Sequence, residues 1–174
     1  MNERTHLQDK QRRGELGRVA VKLFLGIAGK WRLTSAQCLV ISGHKSASTL
    51  NRWRRKVTSG DSIKLSRNTL ERLSYIAGIY KALQLLFPHP EQWAEWVRRP
   101  NHHFGGQTAL DHMLGGSITD LADVRRYLDA QLDPLRFALA EGEHQGFAKN
   151  SGSTGNSWDS WFDAKGVSDD YFSR

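Results

Sequence analysis

TSAQCLVISGHKSASTLNRWRRK, residues 34–56, is the stretch on which the reading of the chain turns. Thr34 has the side chain of a helix N-cap, and Ala36, Leu39 and Val40 follow as an apolar run. Gly43 can take a positive φ and end that first helix. Ser46 or Ser48 can cap a second helix, which sets Leu50 and Trp53 three residues apart on one face. The opposite face carries Ser48, Thr49, Asn51, Arg52, Arg54 and Arg55. Two short helices joined by a Gly-containing turn, the second polar and basic on its outside, are the pattern of a helix-turn-helix. A helical hairpin with a solvated charged face has the same pattern.

In a helix-turn-helix the second helix enters the major groove. Arg52, Arg54, Arg55 and Lys56 would then hold phosphates, while Ser46, Ser48, Thr49 and Asn51, near the helix start, reach base edges. One helix reads only a few base pairs, so sequence selectivity calls for a dimer on a palindrome.

The distribution of charge points the same way. Residues 1–56 hold 13 Lys/Arg and 3 Asp/Glu, a net of +10; residues 57–140 hold 9 of each; residues 141–174 hold 3 and 6, a net of −3. A basic front suits a polyanion, because Lys and Arg that neutralise phosphates release counterions. An acidic tail suits a basic protein surface. The lone Cys38 cannot close an internal disulfide, reads as a small core residue and fits a reducing cytoplasm. No run approaches the length of a membrane span, and MNERTHLQDKQRRGE lacks the apolar segment of a secretory signal.

Outward from the opening stretch, residues 1–14 read as a frayed polar arm. A helix is expected from Glu15 to Gly29, with Leu16, Val19, Ala20, Leu23, Phe24 and Ile27 inward. Residues 57–62, VTSGDS, read as a loop. Ser66 caps the strongest helix, residues 66–87, striped by Leu70, Leu73, Ile76, Ala77, Tyr80, Leu83 and Leu86. Leu65, Ile79 and Leu85 widen that apolar surface, which suits either a dimer interface or a helix buried on most sides. Shorter helices follow at 90–99 and 109–114, separated by a turn-rich loop, and an amphipathic helix at 117–132. No segment alternates with period two, so the expected fold is all-α. Residues 1–62 form the helix-turn-helix region, 63–140 a small helical domain, and 141–174 a linker and tail. Within the tail, 142–157 is rich in Gly, Ser and Asn, whereas Trp158, Trp161 and Phe162 are anchors of the kind that dock on a partner.

Neither catalysis nor a cofactor is expected. His102 and His103 are adjacent and lack a Cys or His at zinc-site spacing, so no metal is expected. No nucleophile, base and orienting group fall into a recognisable arrangement, and the Gly-Gly pairs lack the lysine of a phosphate loop.

Residues 70–129 carry landmarks in order: Glu71-Arg72-Leu73, Gly78-Ile79-Tyr80-Lys81, Trp96, Pro100-Asn101, Phe104-Gly105-Gly106, Ala109-Leu110-Asp111, Val124-Arg125 and Tyr127-Leu128-Asp129. Together with WRLTSAQ and LNRWRR before them, these resemble the Xre/MbcA/ParS antitoxins over roughly residues 16–132. The resemblance implies a dimeric antitoxin of a type II toxin–antitoxin operon. Such a protein silences a cognate toxin by occluding its active site and represses its own promoter. The usual partner is a RES-domain toxin that consumes NAD. Asn101 and Phe104, within the landmarks, are the expected toxin contacts there. The chain departs from the family in its tail, where NSWDSWFDAKGVSDDYF is similar to VapB antitoxin tails that wrap PIN-domain ribonucleases. That similarity adds Asp169, Asp170, Tyr171 and Arg174 to the expected toxin contacts. The alternatives are a plain helix-turn-helix regulator with a ligand- or partner-sensing domain, and a structural or assembly protein.

Overall fold

A computed structural model of the chain describes residues 3–143, with side chains at residue 8 and over 11–133. Seven α-helices are described: α1 (Glu3–Lys30), α2 (Ser35–Ser42), α3 (Ala47–Ser59), α4 (Arg67–Leu86), α5 (Pro90–Trp96), α6 (Ala109–Met113) and α7 (Ile118–Glu143). Among the described residues there is no strand, only an isolated bridge between Pro100 and Thr108. The described residues up to 136 form one compact unit, and 137–143, the end of α7, belong to a separate one. The all-α expectation holds.

The local signals around residue 34 act as expected. The Thr34 hydroxyl accepts from the Gln37 amide, and the Gln37 side chain accepts from the Thr34 amide, a reciprocal capping box. Gly43 ends α2 at φ 75°, and the amides of Gly43 and His44 return to Val40 and Leu39. Cys38 and Ile41 carry the burial of α2, whereas Ala36 and Val40, expected in its apolar run, are exposed.

Helix α1 differs most from expectation. It begins at Glu3, so the arm expected to be frayed is helical from its third residue. Its buried stripe is Gly14, Gly17, Val21, Phe24, Ile27, Ala28 and Trp31, and Leu16 lies outside it. The two glycines give no hydrophobic signal, yet they are where another segment comes closest. Residues 61–65 cross α1 there as an extended strap: the Ile63 amide donates to the Gly14 carbonyl at 2.9 Å. A methyl on Gly14 would lie 2.8 Å from Ser62 Cβ, and one on Gly17 would overlap the Ile63 carbonyl oxygen. The strap is shorter than expected because α3 continues through Val57–Ser59, to a cap at Gly60.

Helix α4 packs on α1, α2 and α5. Ile76, Ala77, Ile79, Tyr80, Ala82 and Leu83 are all buried, so the apolar excess is consumed within one protomer and Leu85 alone remains exposed, at 57%. Edge-on contacts of Phe24 with Trp53 and of Trp31 with Tyr80 join α1 to α3 and α4. One core runs from Val21 to Leu132, across the 62/63 boundary expected from sequence.

Trp31 follows the last residue of α1, and Leu33 and Arg32 donate back to Ala28 and Gly29 with Arg32 at φ 52°. Arg98 from beyond α5 donates to the Trp31 and Arg32 carbonyls at 2.8 and 2.9 Å, a cation at the negative end of α1. Helix α7 starts at a Ser117 cap whose hydroxyl accepts from the Thr119 amide while Asp120 accepts from the Ser117 amide. It continues past the expected end at 132 to Glu143, through Pro134.

Candidate nucleic-acid and toxin interfaces

Helix α3 is held by Leu50 and Trp53, both buried against the core. Ser46, Ser48, Asn51, Arg52, Arg54 and Arg55 are exposed around the rest of it. Thr49 is not among them. At 8% exposure it lies on the inward face with Leu50, and with Trp53 and Val57 one and two turns along, away from the exposed basic face. Ser46 is the N-cap residue, but its hydroxyl pairs with that of Ser48 at 2.7 Å and caps no helix amide. The first-turn amides of α3 thus have no side-chain cap, which suits a phosphate. Arg54 donates to the Asn51 side-chain oxygen at 3.4 Å, and Lys56 to the Ser62 carbonyl at 3.0 Å.

His44, in the turn between α2 and α3, stands edge-on to Trp53 with ring centres 5.1 Å apart. Its Nε2 is 3.4 Å from the Thr69 hydroxyl. Burial, then the positive charges of Arg52 and Arg72, hold the imidazole below its usual range, so it is neutral at neutral pH. Burial pushes the Cys38 thiol up, which keeps it protonated and inert.

The second cluster lies between α5, the loop at 101–107, α6 and α7. Asn101 organises the loop: its side chain accepts from the His103 amide at 2.9 Å, and its carbonyl accepts from Phe104 and Gly106. Phe104, expected as a toxin contact, is 6% exposed and points inward, stacked on His112 with centres 5.0 Å apart. Its ring pegs the loop onto α6, which leaves little of it to offer a partner. Tyr127 of α7 is the centre of an aromatic group. It lies 4.6 Å from His103, 5.4 Å from Phe104 and 6.1 Å from Trp96, with Trp96 stacked on it. His103 is exposed, and Trp96 and Tyr127 are half-buried. Trp96, Phe104 and Tyr127 stand among the landmarks of the resemblance, but coming from three segments they gave no sign in sequence that their rings meet, and His103 was considered only as a metal ligand. Trp158, Trp161, Phe162, Asp169, Asp170, Tyr171 and Arg174 lie outside the described residues.

Among the described residues no three His, Cys, Asp or Glu side chains gather as a metal site, and no helix is long and apolar enough to cross a membrane.

Residues 11–78 match the antitoxin Xre-like helix-turn-helix domain, and residues 82–132 match the antitoxin Xre/MbcA/ParS C-terminal toxin-binding domain. The chain belongs to the Xre/MbcA/ParS antitoxins. It is similar to uncharacterized protein y4oB of Sinorhizobium fredii (strain NBRC 101917 / NGR234), at 41% identity over 111 residues, 64% of this chain and 82% of that protein. As an antitoxin with a helix-turn-helix it has a toxin and DNA as its partners, and these domain families are in general non-enzymatic. The match to the toxin-binding domain contains the whole Trp96–Tyr127 group, and the match to the helix-turn-helix domain contains all of α2 and α3.

Proposed function

We propose that this antitoxin represses its own operon through α3 and silences its cognate toxin by occluding the toxin's active site. What supports both halves is that one compact unit carries an exposed basic α3 with no side-chain cap and, in the part matched as toxin-binding, an aromatic group open to solvent on one side. On DNA, Ser46, Ser48 and Asn51 reach base edges, and Arg52, Arg54 and Arg55 hold phosphates, as a dimer on a palindromic operator. The cognate toxin is a RES-domain enzyme that consumes NAD, with a PIN-domain ribonuclease the alternative suggested by the tail. Segment 158–174 adds to the toxin contact through Trp158, Trp161 and Phe162.

The DNA half has a two-part test. Replacing Arg52, Arg54 and Arg55 together with Ala is expected to weaken binding to every sequence and to flatten the dependence on log salt by about 0.9 per lost phosphate contact. Asn51→Ala is expected instead to narrow the gap between the chain's own promoter region and random DNA. A wild-type gel shift with no preference for that promoter would remove the operator reading.

The toxin half predicts that His103→Ala and Trp96→Ala each weaken binding to the co-purified operon neighbour by roughly 10–30-fold, the range of an interface anchor. Deleting 158–174 is expected to speed release of the toxin. Folding of each variant is checked by circular dichroism. Affinity unchanged in both point variants would move the toxin surface elsewhere.

A further inference from the structure

We infer that the basic residues beside the crossing of α1 and the strap form a second DNA-contacting surface, which grips backbone phosphates flanking the site read by α3. This rests on the DNA-binding reading of α3. The contacts that bring the surface together are local and specific. Lys56 of α3 donates to the Ser62 carbonyl, Ser62 sits against Gly14 of α1, and Ile63 donates to the Gly14 carbonyl. The end of α3, the strap and the stretch of α1 around Gly14 therefore meet at one place. Arg12 and Arg13 immediately precede Gly14, and Lys64 follows Ile63; all three are exposed. With Arg55 and Lys56 of α3 they make five cations, and the acids nearest to them in sequence are Asp9, Glu15 and Asp61. Asp61 already accepts from the Ser59 hydroxyl at 2.6 Å.

Paired and unpaired arginines divide along the chain. Arg99, Arg125 and Arg126 each have a carboxylate within salt-bridge distance. Among the residues whose side chains are described, 8 and 11–133, none forms an ion pair with Arg12, Arg13, Arg55 or Lys64. Cations that outnumber the carboxylates beside them repel one another, and a phosphate backbone relieves that repulsion while releasing counterions. Contacts to phosphates carry no sequence information, so the contribution of this surface is to affinity and to the length of DNA covered.

The test uses the full chain and a random-sequence duplex, with affinity measured over a range of potassium chloride concentrations. Arg12→Ala with Arg13→Ala is expected to make the log–log slope shallower by about 1.8, and Lys64→Ala by about 0.9. Arg12→Lys with Arg13→Lys is expected to keep the wild-type slope. Arg126→Ala, which removes an ion-paired charge from α7, is expected to leave it unchanged. Hydroxyl-radical footprints on the chain's own promoter region are expected to shorten at the outer edges in the Arg12/Arg13 variant, with the centre still protected. A slope and footprint unchanged by the Arg12/Arg13 and Lys64 variants would overturn the inference while leaving the α3 reading intact. An equal loss from Arg126→Ala would overturn it too, since total charge would then explain the effect. Loss of promoter preference in the wild type, with the slope changes present, would fail the operator reading and leave this surface standing.

Discussion

Arg72→Ala is expected to cost about 2–4 kcal/mol of stability, the loss of charged hydrogen bonds from a site that is 9% exposed. Arg72 reaches out of α4 in three directions. Its Nε donates to Asn68 Oδ1 at 3.0 Å, its Nη1 to the Ile41 carbonyl at 3.4 Å and its Nη2 to the Gly116 carbonyl at 2.9 Å. Ile41 belongs to the last turn of α2, where carbonyls lack helical partners and a cation is favoured. Gly116 belongs to the turn that starts α7. One guanidinium thus ties the helix-turn-helix to the toxin-binding half, and removing it leaves the two backbone carbonyls, besides Asn68, without this donor. Gly43 is part of the same fit, since a Cβ there would lie 2.9 Å from Arg72 Nε. Arg72→Lys keeps the charge but cannot span three acceptors, because an ammonium is a point donor on a flexible stem. It is expected to recover less than half of the loss. Thermal unfolding followed by circular dichroism reads the effect as a fall of roughly 10 °C for the Ala variant. A fall within the error of the measurement would mean that water satisfies both carbonyls and that Arg72 ties nothing.

Arg72 also marks where sequence reading stopped. The helix-turn-helix was legible because its signals are local: Thr34 and Gln37 cap one another within a turn, Gly43 reverses the chain, and Leu50 with Trp53 state one buried face. The all-α fold followed from periodicity, and Ser66 marked the start of α4. Thr49 was misplaced because a polar side chain at the edge of an apolar face gives no sign of which side it takes. Phe104 was placed as a contact because resemblance marks a position without saying whether its side chain faces inward or outward. Arg72, Arg98 and the Tyr127 group were illegible for a different reason. Their partners include carbonyls and rings 23 to 67 residues away, and backbone carbonyls carry no sequence signature. Helix α1 begins earlier and α7 ends later than the apolar pattern marked, at Glu3 and Glu143.

Gly17→Ala is expected to destabilise the protein by roughly 2 kcal/mol even though alanine is the better helix former. The added methyl meets the backbone carbonyl of Ile63, which cannot rotate away as a side chain would. The strap must lift, and it is pinned on both sides: by Ile63, 3% exposed in the core, and by its amide bonded to Gly14. A propensity gain of about 1 kcal/mol offsets part of that cost. Gly29→Ala, in the same helix, isolates the propensity term because nothing lies within 4 Å of the position its Cβ would take. It is expected to be stabilising by about 0.4–1 kcal/mol. Opposite signs for one substitution in one helix are the readout, by thermal or urea unfolding of the full chain. The consequence extends to DNA. Lifting the strap withdraws the Ser62 carbonyl from Lys56 and moves Lys64 away from Arg12 and Arg13. Gly17→Ala should therefore shorten the footprint at its edges without changing which sequence α3 prefers. If Gly17→Ala and Gly29→Ala shift stability equally and in the same direction, the close crossing of strap and helix does not exist in solution, and the basic surface built on it loses its scaffold.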